Sequence, residues 1–313
     1  MSDRPDPTPE QHDPDLRHES ESQPPDVPKL VSQPTDVPKI GSQPPEIPSP
    51  EGFYDLFGSG TLLLLFTGCL LLYLLLQGVL WGGKPGAAVW GLAAAPVVGI
   101  LLPLALLIRS LQRSVRVELW WFPLSARQVA GVVLAILGTV PLAYALAALN
   151  LELVVPDPES AQLLQNLVPT DLSSFLAGLF AVVLLAPLGE EVLFRGLLLG
   201  TLGRHLRPEV AVLVVAVLFG MTHFAPWVIL PLTTLGFVLG MLVLLTRTLT
   251  AAWVGHAIFN LIGYLELALT GDAQTTALTE WLLQPPALVA APMLLAAAYW
   301  LLRSDGKIDA GTV

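Results

Sequence analysis

The sequence predicts an all-α, polytopic membrane protein of about eight transmembrane helices, preceded by a disordered, proline-rich tail. Three observations carry this. The 313 residues are 54% hydrophobic and only 13% charged, with a mean hydropathy of +0.67, whereas a soluble domain carries about 25% charged residues. The charges are also segregated: residues 1–51 hold eleven of the 25 acids and four of the 15 Lys and Arg, leaving 14 and 11 for the other 262 residues. Finally, those 262 residues are built from Leu, Val and Ala runs as long as the roughly 20 residues a bilayer-crossing helix needs. A soluble enzyme is thereby excluded. So is a disulfide scaffold, because Cys69 is the only cysteine. A net charge of −10 argues against a nucleic-acid partner, and the lipid bilayer is the partner the composition implies.

The tail comes first. Residues 1–51 are rich in Pro, Asp, Glu, Ser and Gln and contain a ten-residue repeat: SQPPDVPKLV from Ser22, SQPTDVPKIG from Ser32 and SQPPEIPSPE from Ser42. Units this short, each with several prolines, bury no core, so a solvated extension of polyproline II character is expected. No basic segment followed by an apolar run begins the chain, so insertion is expected to start at the first hydrophobic helix. The membrane domain is expected over 52–303, with a short C-terminal tail over 304–313.

Eight apolar segments follow: Thr61–Trp81, Gly86–Ile108, Val129–Leu149, Ser173–Leu202, Glu209–Phe224, Val228–Leu245, Ala251–Thr270 and Pro286–Leu302. Loop charge tests the count independently. Arg109, Arg113, Arg116 and Arg127 follow the second segment, Arg204 and Arg207 the fourth, Arg247 the sixth, and Arg303 and Lys307 the eighth. The alternate connections hold Glu152, Asp157, Glu159 and Asp171, or Asp272 and Glu280, with Lys84 as their single base. Because basic loops stay in the cytoplasm, this alternation predicts a multi-pass protein of the cell membrane with both termini cytoplasmic.

An ionisable side chain inside the bilayer costs about 3 kcal/mol on insertion scales and persists where it is paired or functional. Three clusters stand out. In the fourth segment, Glu190-Glu191 precede Arg195; Glu191 and Arg195, four apart, share a face and can pair, which leaves Glu190 without a local cation. A lone carboxylate in a low-dielectric site suits a general base. In the fifth segment Phe219 and His223 lie four apart, and in the seventh His256 and Asn260 do. Glu266 lies about 80° off the latter face and is left outside the site. Singly, these motifs could be helix–helix packing. Jointly they supply a base, its partner and two oxyanion donors, the parts that attack by water on an amide requires.

The ordered set Glu190-Glu191…Arg195, Phe219…His223, His256…Asn260 resembles the CPBP family of intramembrane proteases, which includes the type II CAAX prenyl endopeptidases and the bacteriocin-processing, Abi-like relatives. The resemblance covers about residues 173–263, with no motif position departing from the pattern. It implies an eight-helix core and a membrane-embedded endopeptidase. By this resemblance Glu190 is the catalytic base acting with His223, while His256 and Asn260 are the oxyanion donors. Glu191 and Arg195 support the motif helix, with Phe219 beside them. The family is often labelled a metalloendopeptidase, and Glu190, His223 and His256 would then be the ligands of zinc or another divalent metal. No HExxH is present, however, and the resemblance favours a metal-free glutamate mechanism. The implied partner is a peptide or protein substrate at the membrane; a CAAX peptide is the family's best-known one, and nothing in the sequence reports prenyl binding.

Two other readings stay open on the residues alone: a proton-coupled transporter, since buried Glu and His build proton relays, and a catalytically silent peptide-binding or immunity protein. The cytoplasm is the expected side of access. At 1.5 Å per residue Glu190 falls about 18 Å and His256 about 9 Å from the cytoplasmic ends of their segments, and His223 about 21 Å from the start of its own.

Overall fold

The computed structural model describes residues 56–81, 87–156, 158, 165–271 and 282–304. The proline-rich tail with its repeats, Lys84, Asp157, Glu159, Asp272, Glu280 and residues 305–313 lie outside the described residues. No strand occurs among those described. The helices are α1 (Ser59–Trp81), α2 (87–110), α3 (Ala126–Leu153), α4 (Leu172–Leu202), α5 (Pro208–Met221), α6 (Ile229–Thr246), α7 (Leu249–Thr270) and α8 (Pro285–Ser304), with a single turn, Val115–Glu118, between α2 and α3. The all-α membrane architecture is as the composition predicts.

Local chemistry sets the ends. Ser125 starts α3 with a capping box: its hydroxyl accepts from the Gln128 N–H, and the Gln128 side chain accepts from the Ser125 N–H. Asp171 and Ser174 do the same for α4, and the Ser174 N–H and hydroxyl hold the Asp171 carboxyl below the usual carboxylate range. Arg247, in the left-handed region at φ 56°, turns the chain between α6 and α7, and the Thr248 hydroxyl caps α7 through the Thr250 N–H.

One expected span is shorter than the bilayer. Helix α5 stops at Met221 after 14 residues, about 21 Å long against a hydrocarbon core of about 30 Å. Among the described residues seven helices are long and apolar enough to cross a membrane, and α5 is not one of them. It packs along α6 as an antiparallel hairpin, with Thr222–Val228 as the tip. Both ends of the hairpin, Arg207 and Arg247, therefore lie on one side. That is why the alternation of loop charge survives although the count of full-length spans falls from eight to seven.

Close helix approach depends on small residues, since packing rather than hydrophobicity drives helix association in lipid. A Cβ on Gly99 of α2 would lie 2.8 Å from the Tyr73 Cα of α1, and one on Gly236 of α6 would lie 3.1 Å from the Ala216 Cα of α5. Gly99→Leu should therefore force α1 and α2 apart and lower stability by about 1–3 kcal/mol, the usual cost of overpacking. Gly68→Leu, where a Cβ meets nothing within 4 Å, should leave the melting temperature in detergent unchanged.

Candidate active site

Helix α4 carries the first motif and is irregular on both sides of it. π-Helical stretches run Leu179–Leu185 and Val192–Leu199, with an α-helical segment, Ala186–Glu191, between them. In a π-helix the carbonyl of residue 182 would accept from the N–H of residue 187, but that residue is Pro187, which has none. Helix α7 supplies the missing donor: Asn260 Nδ2 donates to the Val182 carbonyl at 2.9 Å. Two residues further along α4, the Trp253 indole N–H donates to the Leu184 carbonyl at 3.1 Å. The break in α4 is thus what docks α7 beside the carboxylates.

Glu191 and Arg195 pair at 2.8 Å with both side chains fully buried. Arg195 also donates to the Gly236 carbonyl at 3.0 Å, and its guanidinium carbon stands 4.5 Å above the Phe219 ring. The same Glu191 oxygen meets His256 Nδ1 at 2.8 Å. A carboxylate paired with arginine only accepts, so Nδ1 of His256 carries a proton. The other ring nitrogen, Nε2, lies 3.9 Å from Glu190 Oε2.

Glu190 faces the opposite way from its neighbour. Its Oε1 accepts from the Tyr73 hydroxyl of α1 at 3.2 Å. His223 is not within a helix, as its spacing from Phe219 suggested, but in the turn beyond α5. There its Nδ1 meets the Phe219 carbonyl at 2.9 Å, covering a carbonyl that the helix end leaves unsatisfied. A carbonyl only accepts, so Nδ1 is protonated and Nε2 of the neutral ring is free to accept. Phe219 is the hub, edge-on to His223 at 5.0 Å and to His256 at 5.7 Å between ring centroids.

Glu190, His223, His256 and Asn260 all line one cavity of about 560 Å³. Glu191, Arg195 and Phe219 stand behind its wall. Tyr73 and Gln77, both on the cavity wall, were missed from the sequence because a Tyr and a Gln in an apolar helix carry no pattern. Asn150 was missed likewise: buried on α3, it donates to the Pro226 carbonyl at 2.9 Å and accepts from the Leu230 N–H at 3.0 Å, fixing the hairpin tip that carries His223. Glu266, left out of the site, bonds the Tyr144 hydroxyl between α7 and α3 and does not line the cavity. The three candidate metal ligands do not converge as a donor set, and no group of three His, Cys, Asp or Glu among the described residues does. Among the lining residues, Gly78, His223 and Phe224 are exposed.

Residues 172–262 match the family described as Type II CAAX prenyl endopeptidase Rce1-like. A search of curated proteins returns no match, and neither does a search of solved structures. The matched segment begins with α4 and ends in α7, so it contains all three motifs, and the match supports the resemblance to the CPBP/CAAX proteases over that part of the chain.

The Glu191–Arg195 pair yields a prediction independent of activity. Arg195→Met alone strands a buried carboxylate and should cost about 3–5 kcal/mol. The double variant Glu191→Gln/Arg195→Met should recover part of that loss. Denaturant unfolding of the two proteins in detergent measures the difference.

Proposed function

We propose that this chain is an intramembrane endopeptidase that hydrolyses a peptide bond with a water activated by Glu190. The observation that carries the reading is convergence: a carboxylate from α4, an imidazole from the hairpin tip, and an imidazole with a carboxamide from α7 face one cavity. These groups are up to seventy residues apart in the chain and share no structural task that would require a common space.

Each step follows from the hydrogen bonds. The water donates one proton to Glu190 while its second O–H points at the free Nε2 of His223, which fixes its lone pair toward the scissile carbonyl. As the water oxygen bonds to that carbon, the carbonyl becomes an oxyanion. His256 is tied at Nδ1 to the Glu191 carboxylate, and its Nε2, 3.9 Å from Glu190 Oε2, is the ring nitrogen that faces the oxyanion and donates to it when it carries a proton. Asn260 spends one amide N–H on Val182 and has a second for the same oxygen. When the carbon–nitrogen bond breaks, Glu190 returns its proton to the leaving amine, and the products are an acid and an amine. Tyr73 orients Glu190 throughout by its bond to Oε1. The mechanism routes no step through a metal, a reading supported by the lack of a group of three His, Cys, Asp or Glu donors among the described residues.

Glu190→Gln and His223→Ala should each reduce peptide cleavage at least 100-fold, the scale on which a missing catalytic donor or base acts, with an unchanged elution profile and melting temperature. Comparative proteomics of membranes from cells carrying wild type or Glu190→Ala should reveal a peptide that accumulates uncleaved. Full activity in purified Glu190→Gln protein would remove the assignment. Cleavage should also persist after treatment with a strong zinc chelator, and metal analysis of the purified protein should find less than one equivalent of zinc.

A further inference from the structure

We infer that Asn150 is a positioning residue for His223: from α3, a helix that does not line the cavity, its carboxamide holds the hairpin tip in the shape that orients the imidazole. The positioning rests on geometry; that a positioned His223 serves peptide hydrolysis rests on the function proposed above.

The tip is short and must be held at both ends. Between Met221, the last residue of α5, and Pro226, the first of a 3-10 turn, lie only Thr222–Ala225. His223 therefore belongs to neither helix, and its direction follows from where those ends are fixed. Helix α5 fixes the first: the Thr222 N–H donates to the Leu218 carbonyl at 3.0 Å and the Thr222 hydroxyl to the Phe219 carbonyl at 2.9 Å. The second has no local support. The residues that precede the 3-10 turn and α6 are Ala225 and Val228, and neither has a side chain that can cap.

Asn150 supplies that support from another helix. Its Nδ2 donates to the Pro226 carbonyl at 2.9 Å, and its Oδ1 accepts at 3.0 Å from the Leu230 N–H, a first-turn donor that α6 itself leaves unpaired. The side chain is buried, and its amide cannot turn without breaking one of the two bonds. Asn150 also lies outside residues 172–262, so the family match does not cover it.

Released from this anchor, the tip has a better conformation to adopt. Phe224 stands at φ 50°, in the left-handed region that is costly for any residue but glycine. The apolar run reaches Phe224, and one more turn of α5 would aim the His223 backbone N–H at the Phe219 carbonyl. That carbonyl now accepts from Nδ1 of the His223 ring at 2.9 Å. Helix continuation would displace the ring from its acceptor, and with it the Nε2 that faces the cavity. Holding Pro226 keeps the chain out of that alternative.

Histidine side-chain NMR tests this without any activity. In detergent-solubilised, nitrogen-15 histidine-labelled protein at about pH 8, neutral rings report which nitrogen carries the proton. Of the five histidines, His223→Ala and His256→Ala assign the two of interest by omission. His223 should be in the Nδ1–H form in the unsubstituted chain. Asn150→Leu, which fills the space with neither donor nor acceptor, should lose that single form, and so should Asn150→Ala. His256, tied to Glu191, should keep its signal in both. An unchanged His223 signal in either folded variant overturns the inference. So does a change of His256 alongside, the mark of a residue that only supports the bundle, and so does failure of both variants to fold. On the peptide that accumulates uncleaved in Glu190→Ala cells, Asn150→Leu should lower kcat on the order of 100-fold with KM unchanged. Adding His223→Ala should lower it no further, and additive losses would overturn the inference. A displaced His223 signal with full cleavage would instead sink the catalytic role of His223 and leave its positioning by Asn150 standing.

Discussion

A buried guanidinium–carboxylate–imidazole chain organises the bundle. Arg195 and Glu191 are both inaccessible to solvent and both charged, a combination whose desolvation cost is several kcal/mol per ion. It is tolerable only because each charge is met from several directions: Arg195 by Glu191, the Gly236 carbonyl and the Phe219 face, Glu191 by Arg195 and His256. Those partners come from α4, α5, α6 and α7. One charge pair thus links four helices at a single level, and each link constrains a group of the proposed site. Phe219 leads to His223, His256 is held by its Nδ1, and Glu190 is turned to the cavity because its neighbour is turned away.

Much of this was legible in the sequence. Arg195 and Glu191 are four apart in an apolar run, and that spacing admits few alternatives once both must be neutralised. Loop arginines gather at one set of helix ends, a pattern that the short connections make readable before any packing is known. The length of α5 was less legible: the apolar run continues to Phe224, and the helix ends earlier because His223 caps the Phe219 carbonyl, a contact that hydropathy does not register. Tyr73 and Asn150 were invisible for a related reason. Each is one polar residue on an apolar helix, and its importance lies in which backbone or carboxylate it reaches across the bundle.

Depth along a helix says how far a residue is from each end, but not which end is plugged. Glu190 and His256 lie nearer the arginine ends of their helices, which suggested the cytoplasm. Phe66, Phe194 and Phe219 are three aromatic residues from α1, α4 and α5 whose contact exists only after packing. Their contacts put apolar bulk beside the carboxylates.

Asn260 shows how one residue serves fold and chemistry together. Pro187 removes the N–H that the Val182 carbonyl would use, and the Asn260 amide replaces it. This bond aims the second N–H of the same amide along the cavity wall, because the two amide hydrogens lie in one plane at a fixed angle. On the mechanism proposed here, a donor held in this way before substrate arrives needs no reorganisation as the oxyanion forms, the condition under which such donors accelerate hydrolysis most. The defect in α4 therefore does not detract from the site. It is the reason that α7 presents a rigid donor there, and a regular α-helix at Pro187 would leave Asn260 free to rotate away.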